Sequence, residues 1–148
     1  MSGERAVGVV PRNRGTIQTL IAALGIEGIR TSMMISGGTS GSVFIEFTRQ
    51  CLIKVLKPDE IVIMDNLAAH LFKEVTQLIE SVGCRVINLP AYSPDLNPIE
   101  PFFGWLKDHL RTLQPRKVED LVKYVGVLCR KVKKSIVSNW YKNCGYRV

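Results

Sequence analysis

The pattern of apolar and polar residues changes several times along the chain, and each change predicts a different element. β-Branched and apolar residues dominate from Thr16 to Ala23 and again from Ile29 to Ile35, with glycines bounding the short segment between the two runs. This arrangement predicts a β-hairpin. Residues 1–15 include the turn-forming run Pro-Arg-Asn-Arg-Gly and predict an irregular basic segment, and the glycine-rich residues 36–41 predict a flexible connector.

The middle of the chain has the order helix, strand, helix, strand. Ser42 is expected to cap a helix that runs to about Leu56. The run from Ile61 to Met64 is short and continuously apolar, which is typical of a strand buried on both faces. A helical apolar stripe closed by Gly83 follows, and Arg85 to Leu89 predicts the next strand. These elements predict a right-handed parallel crossover unit.

Two helices are predicted after a loop that carries three prolines within nine positions. Because proline fixes a backbone angle and lacks an amide donor, this loop is neither a strand nor a helix interior. The first helix is predicted from Ile99 to about Leu113, and its core face comprises Phe103, Leu106, Leu110 and Leu113. The second is predicted as one long amphipathic helix, with apolar positions at Val118, Val122, Val125, Cys129, Val132 and Ile136. Together the elements predict an α/β fold with a mixed sheet flanked by helices.

The positive charge of the chain is concentrated after residue 100. The 148 residues, 46% of them hydrophobic, are enough for one domain with a core. Residues 1–100 carry nine Lys or Arg and ten Asp or Glu, whereas residues 101–148 carry eleven and three. Clustered cations favour polyanions, because binding displaces counterions from phosphates. The alternative is that the basic helical segment at about 115–148 only carries solvated surface charge.

The cysteines and the chain start bear on cellular location. The four cysteines are scattered, with no Cys-x-x-Cys motif and no histidine at zinc-ligand spacing, so a reduced intracellular chain without a zinc site is expected. No apolar stretch is long enough to cross a bilayer, and the first residues do not resemble a signal peptide. The sequence therefore predicts a soluble cytosolic protein that does not bind membranes.

Two carboxylates follow neighbouring predicted strands. Asp65 ends the strand that contains Ile61 to Met64, and Glu100 follows the next strand across the proline loop. In open α/β sheets, groups at the carboxyl ends of neighbouring strands face one crevice. Two carboxylates placed there repel each other unless a proton or a cation lies between them, and Mg²⁺ prefers such oxygen ligands. Because paired metal ions support phosphoryl transfer, the two carboxylates form a candidate active site.

The helix that begins beside Glu100 carries further candidates on the same face. Gly104, Lys107 and Arg111 follow Glu100 at steps of four, three and four. Gly104 would let a phosphate backbone approach, and the two cations would contact phosphates. Each carboxylate also has a structural interpretation, since a strand-ending Asp is often a helix cap and a Glu near a helix N-terminus is favoured by the helix dipole. The rigid loop between the two carboxylates favours the active-site interpretation.

Two sequence motifs make a family resemblance recognisable. The first is Met64-Asp65-Asn66 followed by His70; the second is Leu89-Pro-Ala-Tyr-Ser-Pro-Asp-Leu-Asn-Pro-Ile-Glu100 followed by Phe103, Leu106 and Lys107. Together they resemble the DDE transposases of the bacterial insertion-sequence and mariner superfamily. Thirty-four residues separate Asp65 from Glu100, which is the spacing that this family uses between its second and third catalytic carboxylates. The resemblance covers most of the chain and weakens after about Asp120.

The resemblance implies a ribonuclease H-like fold and a DNA transposition reaction. In the family, Mg²⁺ or Mn²⁺ supports strand cleavage and strand transfer, with two ions in a complete site. The implied partner is double-stranded DNA, both transposon ends and target, in the bacterial cytosol at the nucleoid. The implied roles are metal ligand and catalytic residue for Asp65 and Glu100, support of the ligands or substrate contact for Asn66, His70 and Asn97, and DNA contact for Lys107 and Arg111. Tyr92, Ser93 and Asn97 are expected to hold the loop shape.

The family's first catalytic aspartate has no counterpart here. In the family it lies on the first strand, upstream of the segment that matches Arg5 to Gly15, and Glu4 does not occupy the matching position. The helix-turn-helix region that precedes it in the family is also missing. We therefore expect residues 1–148 to be a single partial catalytic domain, truncated at its N-terminus. We also expect the sheet to lack its first central strand, unless Arg5 to Val10 fills that position in part.

Two functions remain open on this basis, whereas a general ribonuclease H-like nuclease would explain the carboxylates but not the proline-loop motif. The first is a transposase catalytic domain with little or no activity alone, whose partner is full-length transposase or an upstream-encoded fragment. The alternative is a non-catalytic DNA-binding remnant or regulator of transposition that uses the basic C-terminal segment.

Overall fold

A computed structural model of the chain describes residues 4–14, 16–65, 67–90 and 93–147. The strands in these ranges are β1 (Glu4–Arg14), β2 (Thr16–Gly25), β3 (Gly28–Ser36), β4 (Ile61–Asp65) and β5 (Arg85–Leu89). The α-helices are α1 (Gly41–Phe47), α2 (Ile53–Val55), α3 (Ala69–Glu80), α4 (Ile99–Leu113), α5 (Val118–Lys131) and α6 (Lys134–Asn143). In these ranges no helix combines the length and the apolar character needed to cross a membrane.

The five strands form one mixed sheet in the order β3-β2-β1-β4-β5. The first three strands pair antiparallel, so the predicted hairpin is confirmed as β2–β3. β4 pairs parallel with both β1 and β5, and α3 connects β4 to β5. The predicted crossover unit and the α/β class are therefore also confirmed, and the two carboxyl ends of β4 and β5 lie side by side.

β1 corrects two expectations, because it occupies the central position of the sheet between β2 and β4. An irregular segment at residues 1–15 is wrong for Glu4–Arg14, whereas residues 1–3 and 15 lie outside the described ranges. The expectation that the sheet lacks its central strand is also wrong, because β1, which includes the segment Arg5 to Val10, fills this position. Antiparallel pairing with β2, which continues to Arg14, overrides the local turn preference. Pro11 is compatible with this strand because pairing with β4 spans only Glu4 to Ala6.

The helix after the glycine-rich connector begins two residues earlier than expected and is less regular. Ser40, not Ser42, is the N-cap: its backbone is extended, and its Oγ accepts a hydrogen bond from the amide of Val43 at 3.3 Å. α1 passes into a π-helical turn at Thr48–Leu52 before α2 ends at Val55. The predicted end near Leu56 is therefore correct, while the helix type in between is not.

The predicted long C-terminal helix is two helices, α5 and α6, separated by Val132 and Lys133. Val132 has an extended backbone (φ −75°, ψ 115°) and is buried, so the break turns this side chain into the core. The predicted apolar stripe is also displaced. Val118 and Val122 are exposed, while the buried positions of α5 are Leu121, Val125 and Leu128. No proline or glycine marks this break, which explains why the periodicity did not reveal it.

Apolar side chains cover both faces of the sheet. On one face, Leu20, Ala22 and Leu24 of β2 pack in a core with α4, α5 and α6. On the other face, Ile21 and Ala23 of the same strand pack in a core with α1, the π-helical turn and α3. Helix α4 is thus held on the sheet through its own buried face, which includes Phe103, Leu106 and Leu110 as predicted, although Leu113 is exposed.

Candidate metal centre

Asn97 connects the end of β4 to the beginning of α4. Its side chain is fully buried, its Nδ2 donates a hydrogen bond to Oδ2 of Asp65 at 3.2 Å, and its Oδ1 accepts one from the amide of Ile99 at 3.2 Å. One amide side chain therefore fixes the Asp65 carboxylate and caps the first turn of the helix that carries Glu100. The structure thus places Asn97 beside a candidate ligand, as the sequence motif implied.

The proline loop delivers Glu100 through a compact turn rather than an extended linker. Pro94–Leu96 forms a 3₁₀ turn in which the amide of Leu96 donates to the carbonyl of Ser93 at 3.1 Å. The amide of Glu100 then donates to the carbonyl of Asn97 at 3.1 Å, and Glu100 lies in the first turn of α4. Proline is tolerated at Pro101 because first-turn amides have no partner within the helix. Ser93 contributes to the loop shape through its carbonyl, while Tyr92 lies outside the described residues.

The two carboxylates lie close enough to influence each other. Burial raises the pKa of Glu100 above its ordinary value, the charge of Asp65 raises it further, and the Lys107 ammonium lowers it. The site therefore contains more negative charge than Lys107 compensates. A hard divalent cation fits this donor set, because Mg²⁺ binds through one or two carboxylates and keeps waters or phosphate oxygens as its other ligands. Asp65 and Glu100 are the residues that would hold it.

The other predicted site residues differ in their relation to this pair. Lys107 and Gly104 are exposed on the same side of α4 as Glu100, and a side chain at Gly104 would enter open space. Arg111 is exposed but forms an ion pair with Asp108 at 3.1 Å. His70 is exposed in the first turn of α3, and none of the contacts in the described ranges joins it to the carboxylates. Asn66 lies outside the described residues.

The central strand brings no acidic residue to the level of Asp65. In the parallel pairing, Ala6 is the last paired residue and lies opposite Ile63. Extending this register by two residues beyond the pairing would put Gly8 level with Asp65. Glu4 lies opposite Ile61, four residues earlier, which is roughly 13 Å along the strand. Within the described ranges, no group of three His, Cys, Asp or Glu residues is placed to hold a metal ion. The described centre is therefore a pair of carboxylates.

Sequence reasoning missed two neighbours of this centre. The side chain of Asn88 on β5 accepts a hydrogen bond from the amide of Leu67 and donates one to its carbonyl, both at 3.4 Å, which fixes the chain just after β4. Cys144 is buried near Glu100: burial raises the pKa of its thiol, and the charges of Asp95 and Glu100 raise it further. An amide within an apolar strand was a usable signal for Asn88. Nothing local marks Cys144, because the influence of Glu100 on its thiol acts across more than forty residues of sequence.

The sequence was compared with protein-family models and with curated proteins. Residues 1–122 match the family model described as DDE superfamily endonuclease. Among curated protein sequences, no match was found.

Solved structures show the same fold. The catalytic domain of Mos1 transposase with Raltegravir and Mn has a TM-score of 0.75 and 14% identity, over 95% of this chain and 78% of that chain. The same domain with Raltegravir and Mg has a TM-score of 0.65 and 14% identity, over 95% and 78% of the two chains. The Mos1 strand transfer complex has a TM-score of 0.65 and 18% identity, over 91% of this chain and 41% of that chain. At these identities the similarity shows the ribonuclease H-like fold of the Mos1 catalytic domain.

Proposed function

Because this chain belongs to the DDE superfamily endonucleases, we propose that it is a transposase catalytic domain whose Asp65 and Glu100 bind Mg²⁺ or Mn²⁺ for DNA strand cleavage and strand transfer. The observation that carries this proposal is the Asp65–Asn97–α4 connection, which holds two carboxylates together at the carboxyl edge of the sheet. The Mos1 catalytic domain with Mn and with Mg supports the choice of metal.

The residues at this centre have different proposed roles. Asp65 and Glu100 would hold the cation, which supplies Lewis-acid stabilisation to phosphate oxygens when bound. Asn97 keeps Asp65 oriented, because its hydrogen bond occupies Oδ2 and restricts rotation of the carboxylate. Lys107 lies close enough to Glu100 to lower its pKa and would contact a substrate phosphate on the same side of α4. Arg111 would do so with the guanidinium donors that its ion pair with Asp108 leaves available, because that pair engages only Nη1.

We infer that the chain alone cleaves DNA weakly or not at all. A complete site of this family uses three carboxylates and two ions, whereas extending the β1–β4 register beyond Ala6 would put Gly8, which has no side chain, where β1 would have to contribute the third. A fragment or a full-length transposase that supplied the missing carboxylate on a strand would have to displace β1 from its position between β2 and β4. We propose that such a partner would act at DNA, at the nucleoid in the bacterial cytosol.

A strand-cleavage assay on the purified chain tests this proposal. The substrate is labelled double-stranded DNA, with Mg²⁺ or Mn²⁺ added, and the matched variants are Asp65→Asn and Asp108→Asn. We expect cleavage at or near background for the wild type. Robust cleavage that Asp65→Asn abolishes and Asp108→Asn preserves would show that two carboxylates suffice and would contradict the inferred weakness.

A second candidate is a DNA-binding remnant that uses the basic helices. The break between α5 and α6 buries Val132 and leaves Arg130, Lys131, Lys133 and Lys134 exposed around it. Gly28 at the β2–β3 turn approaches the Val132 carbonyl, so this cluster lies at the sheet end remote from Asp65. DNA affinity that falls steeply with salt but is insensitive to Mg²⁺ and to Glu100→Gln would favour this candidate. Affinity that rises with Mg²⁺ in the wild type only would favour the metal centre.

A further inference from the structure

The last helix ends in a turn that redirects the chain toward the proline loop. After α6, the amide of Gly145 donates to the carbonyl of Lys142 at 3.0 Å and the amide of Tyr146 donates to the carbonyl of Tyr141 at 2.9 Å. Gly145 has φ +94°, and the rings of Tyr141 and Tyr146 contact at 6.0 Å between centroids. These two bonds, the left-handed glycine and the apolar contact define a Schellman motif. The direction of the chain after α6 is therefore fixed.

This turn places Tyr146 against the loop that precedes Glu100. The Tyr146 hydroxyl donates a hydrogen bond to the carbonyl of Leu96 at 2.7 Å, across fifty residues of sequence. Leu96 immediately precedes Asn97, the residue that contacts both Asp65 and the beginning of α4. Cys144 of the same turn is buried near Glu100. The C-terminal turn thus contacts the loop directly, through the Tyr146–Leu96 hydrogen bond.

Helix α6 is anchored to the rest of the fold independently of this loop. The hydroxyl of Tyr141 donates to the carbonyl of Leu24 on β2 at 3.3 Å, and Tyr141 is 1% exposed. The ring of Trp140 lies 6.2 Å from that of Phe102 and 6.3 Å from that of Trp105, both on α4. Because the helix is fixed to the sheet and to α4, a hydrogen bond from its end can transmit that rigidity to the loop.

We propose that Tyr146 is a positioning residue for the metal centre: its hydrogen bond holds the Pro94–Leu96 turn so that Asn97 and Glu100 stay placed against Asp65. This inference rests on the proposed function, because it concerns the same two carboxylates. Tyr146 acts through the Leu96 carbonyl and needs no contact with metal or DNA. The basic helices after residue 115 then have a second role, as the support of the loop.

The test compares Tyr146→Phe with the control Tyr124→Phe, a tyrosine that packs against the same core. Two quantities are measured on the full chain: amide hydrogen exchange of Leu96 and Glu100, and the dissociation constant of Mn²⁺. Loss of one neutral hydrogen bond predicts exchange at these two amides that is roughly two- to tenfold faster, and Mn²⁺ binding that is weaker by a similar factor. Tyr124→Phe should change neither quantity. Circular dichroism checks that both variants remain folded.

Three results would overturn the proposal. Exchange at Leu96 and Glu100 could remain at the wild-type rate in Tyr146→Phe. Both variants could accelerate exchange equally along the whole chain, which would indicate general destabilisation. Exchange could rise while Mn²⁺ affinity stays constant, which would make the contact structural only.

The Glu100→Gln variant separates this proposal from the proposed function. If Glu100→Gln binds Mn²⁺ as tightly as the wild type, the metal centre is wrong and the affinity readout reports another site. In that case, faster exchange of the Glu100 amide in Tyr146→Phe supports the positioning of the loop, and unchanged exchange refutes it.

Discussion

Replacing Asn97 with aspartate puts a third carboxylate against Asp65 without changing the shape of the side chain. The Oδ1 atom of Asn97→Asp can still accept from the amide of Ile99, as the native oxygen does at 3.2 Å. Its second oxygen replaces the Nδ2 donor, which lies 3.2 Å from Oδ2 of Asp65. Because Asn97 is 0% exposed, water cannot separate the two groups. The substitution therefore converts an attractive contact into a repulsive one inside the fold.

The expected loss of stability can be bounded from both sides. A hydrogen bond to a charged group contributes about 1.5–3 kcal/mol, and the variant loses it. The repulsion cannot exceed the free energy needed to protonate one of the two carboxyls. A protonated carboxyl removes the repulsion and donates an O–H hydrogen bond to its neighbour. That cost is about 4 kcal/mol at about pH 7 for an acid whose ordinary pKa is about 3.9. We therefore expect Asn97→Asp to lower the free energy of unfolding by about 2–4 kcal/mol at about pH 7.

The pH dependence of this loss has a definite sign. In the folded variant the pair shares a proton, so one pKa of the pair is raised above the unfolded value of about 4. The folded state then binds more protons than the unfolded state, and its deficit relative to the wild type shrinks as the pH falls toward about 4. Mg²⁺ should reduce the same deficit at neutral pH, because a cation between the carboxylates replaces the shared proton.

Urea unfolding of the wild type, Asn97→Asp and Asn97→Ala measures these effects, at about pH 7 and about pH 4.5, each with and without Mg²⁺. Asn97→Ala removes both hydrogen bonds and adds no charge. Its deficit should therefore change less with pH than that of Asn97→Asp, and it should not respond to Mg²⁺ beyond the wild-type response. The reasoning is refuted if Asn97→Asp is as stable as the wild type at neutral pH, or if its deficit stays constant across all four conditions.

Three further predictions follow from the same geometry. Glu100→Gln should raise the free energy of unfolding at about pH 7 by less than about 1 kcal/mol, because the raised pKa of Glu100 makes its exposed carboxylate mildly destabilising. In urea unfolding this gain should vanish below about pH 4.5. A loss of stability at neutral pH would contradict the prediction. Gly28→Ala should lower the free energy of unfolding by about 2–3 kcal/mol, because its Cβ would lie 2.6 Å from the carbonyl oxygen of Val132. Gly37→Ala has open space around it and should cost only the left-handed backbone strain of about 1 kcal/mol. Equal costs for the two variants would argue against the contact of Gly28 with Val132. Gly8→Asp should tighten Mn²⁺ binding on the order of tenfold by adding a carboxylate at the level of the pair, and an unchanged dissociation constant in calorimetry would count against the extended register.

The sequence predicted the elements whose ends are marked by residues with strong local preferences. Helix α4 has the predicted bounds, because prolines precede it and Gln114-Pro115 follows its last turn. β1 was missed because its turn-like second half is held extended by pairing with β2, a contact that the local sequence does not reveal. The break at Val132 was missed because burial of that side chain, not a helix-breaking residue, ends α5.

In the candidate site, too, some features were predictable from the sequence and others were not. Strand ends and motif spacing predicted that Asp65 and Glu100 would lie together, and the structure brings them within electrostatic reach, although their roles as metal ligands remain predictions. The hydrogen bond between Tyr146 and Leu96 joins residues that are fifty positions apart in the sequence. No periodic or compositional pattern indicates it. Contacts of this kind depend on how helices pack, and they appear only once the fold is known.

The central claim is that Asp65 and Glu100 together bind one divalent cation. Isothermal titration of Mn²⁺ into the wild type, Asp65→Asn, Glu100→Gln and Asp108→Asn tests it most directly, since Asp108 is an exposed acid on the same helix as Glu100. Asp65→Asn and Glu100→Gln should each lose the binding event, and Asp108→Asn should retain it. Wild-type affinity in either Asp65→Asn or Glu100→Gln, or equal losses in all three variants, would contradict it.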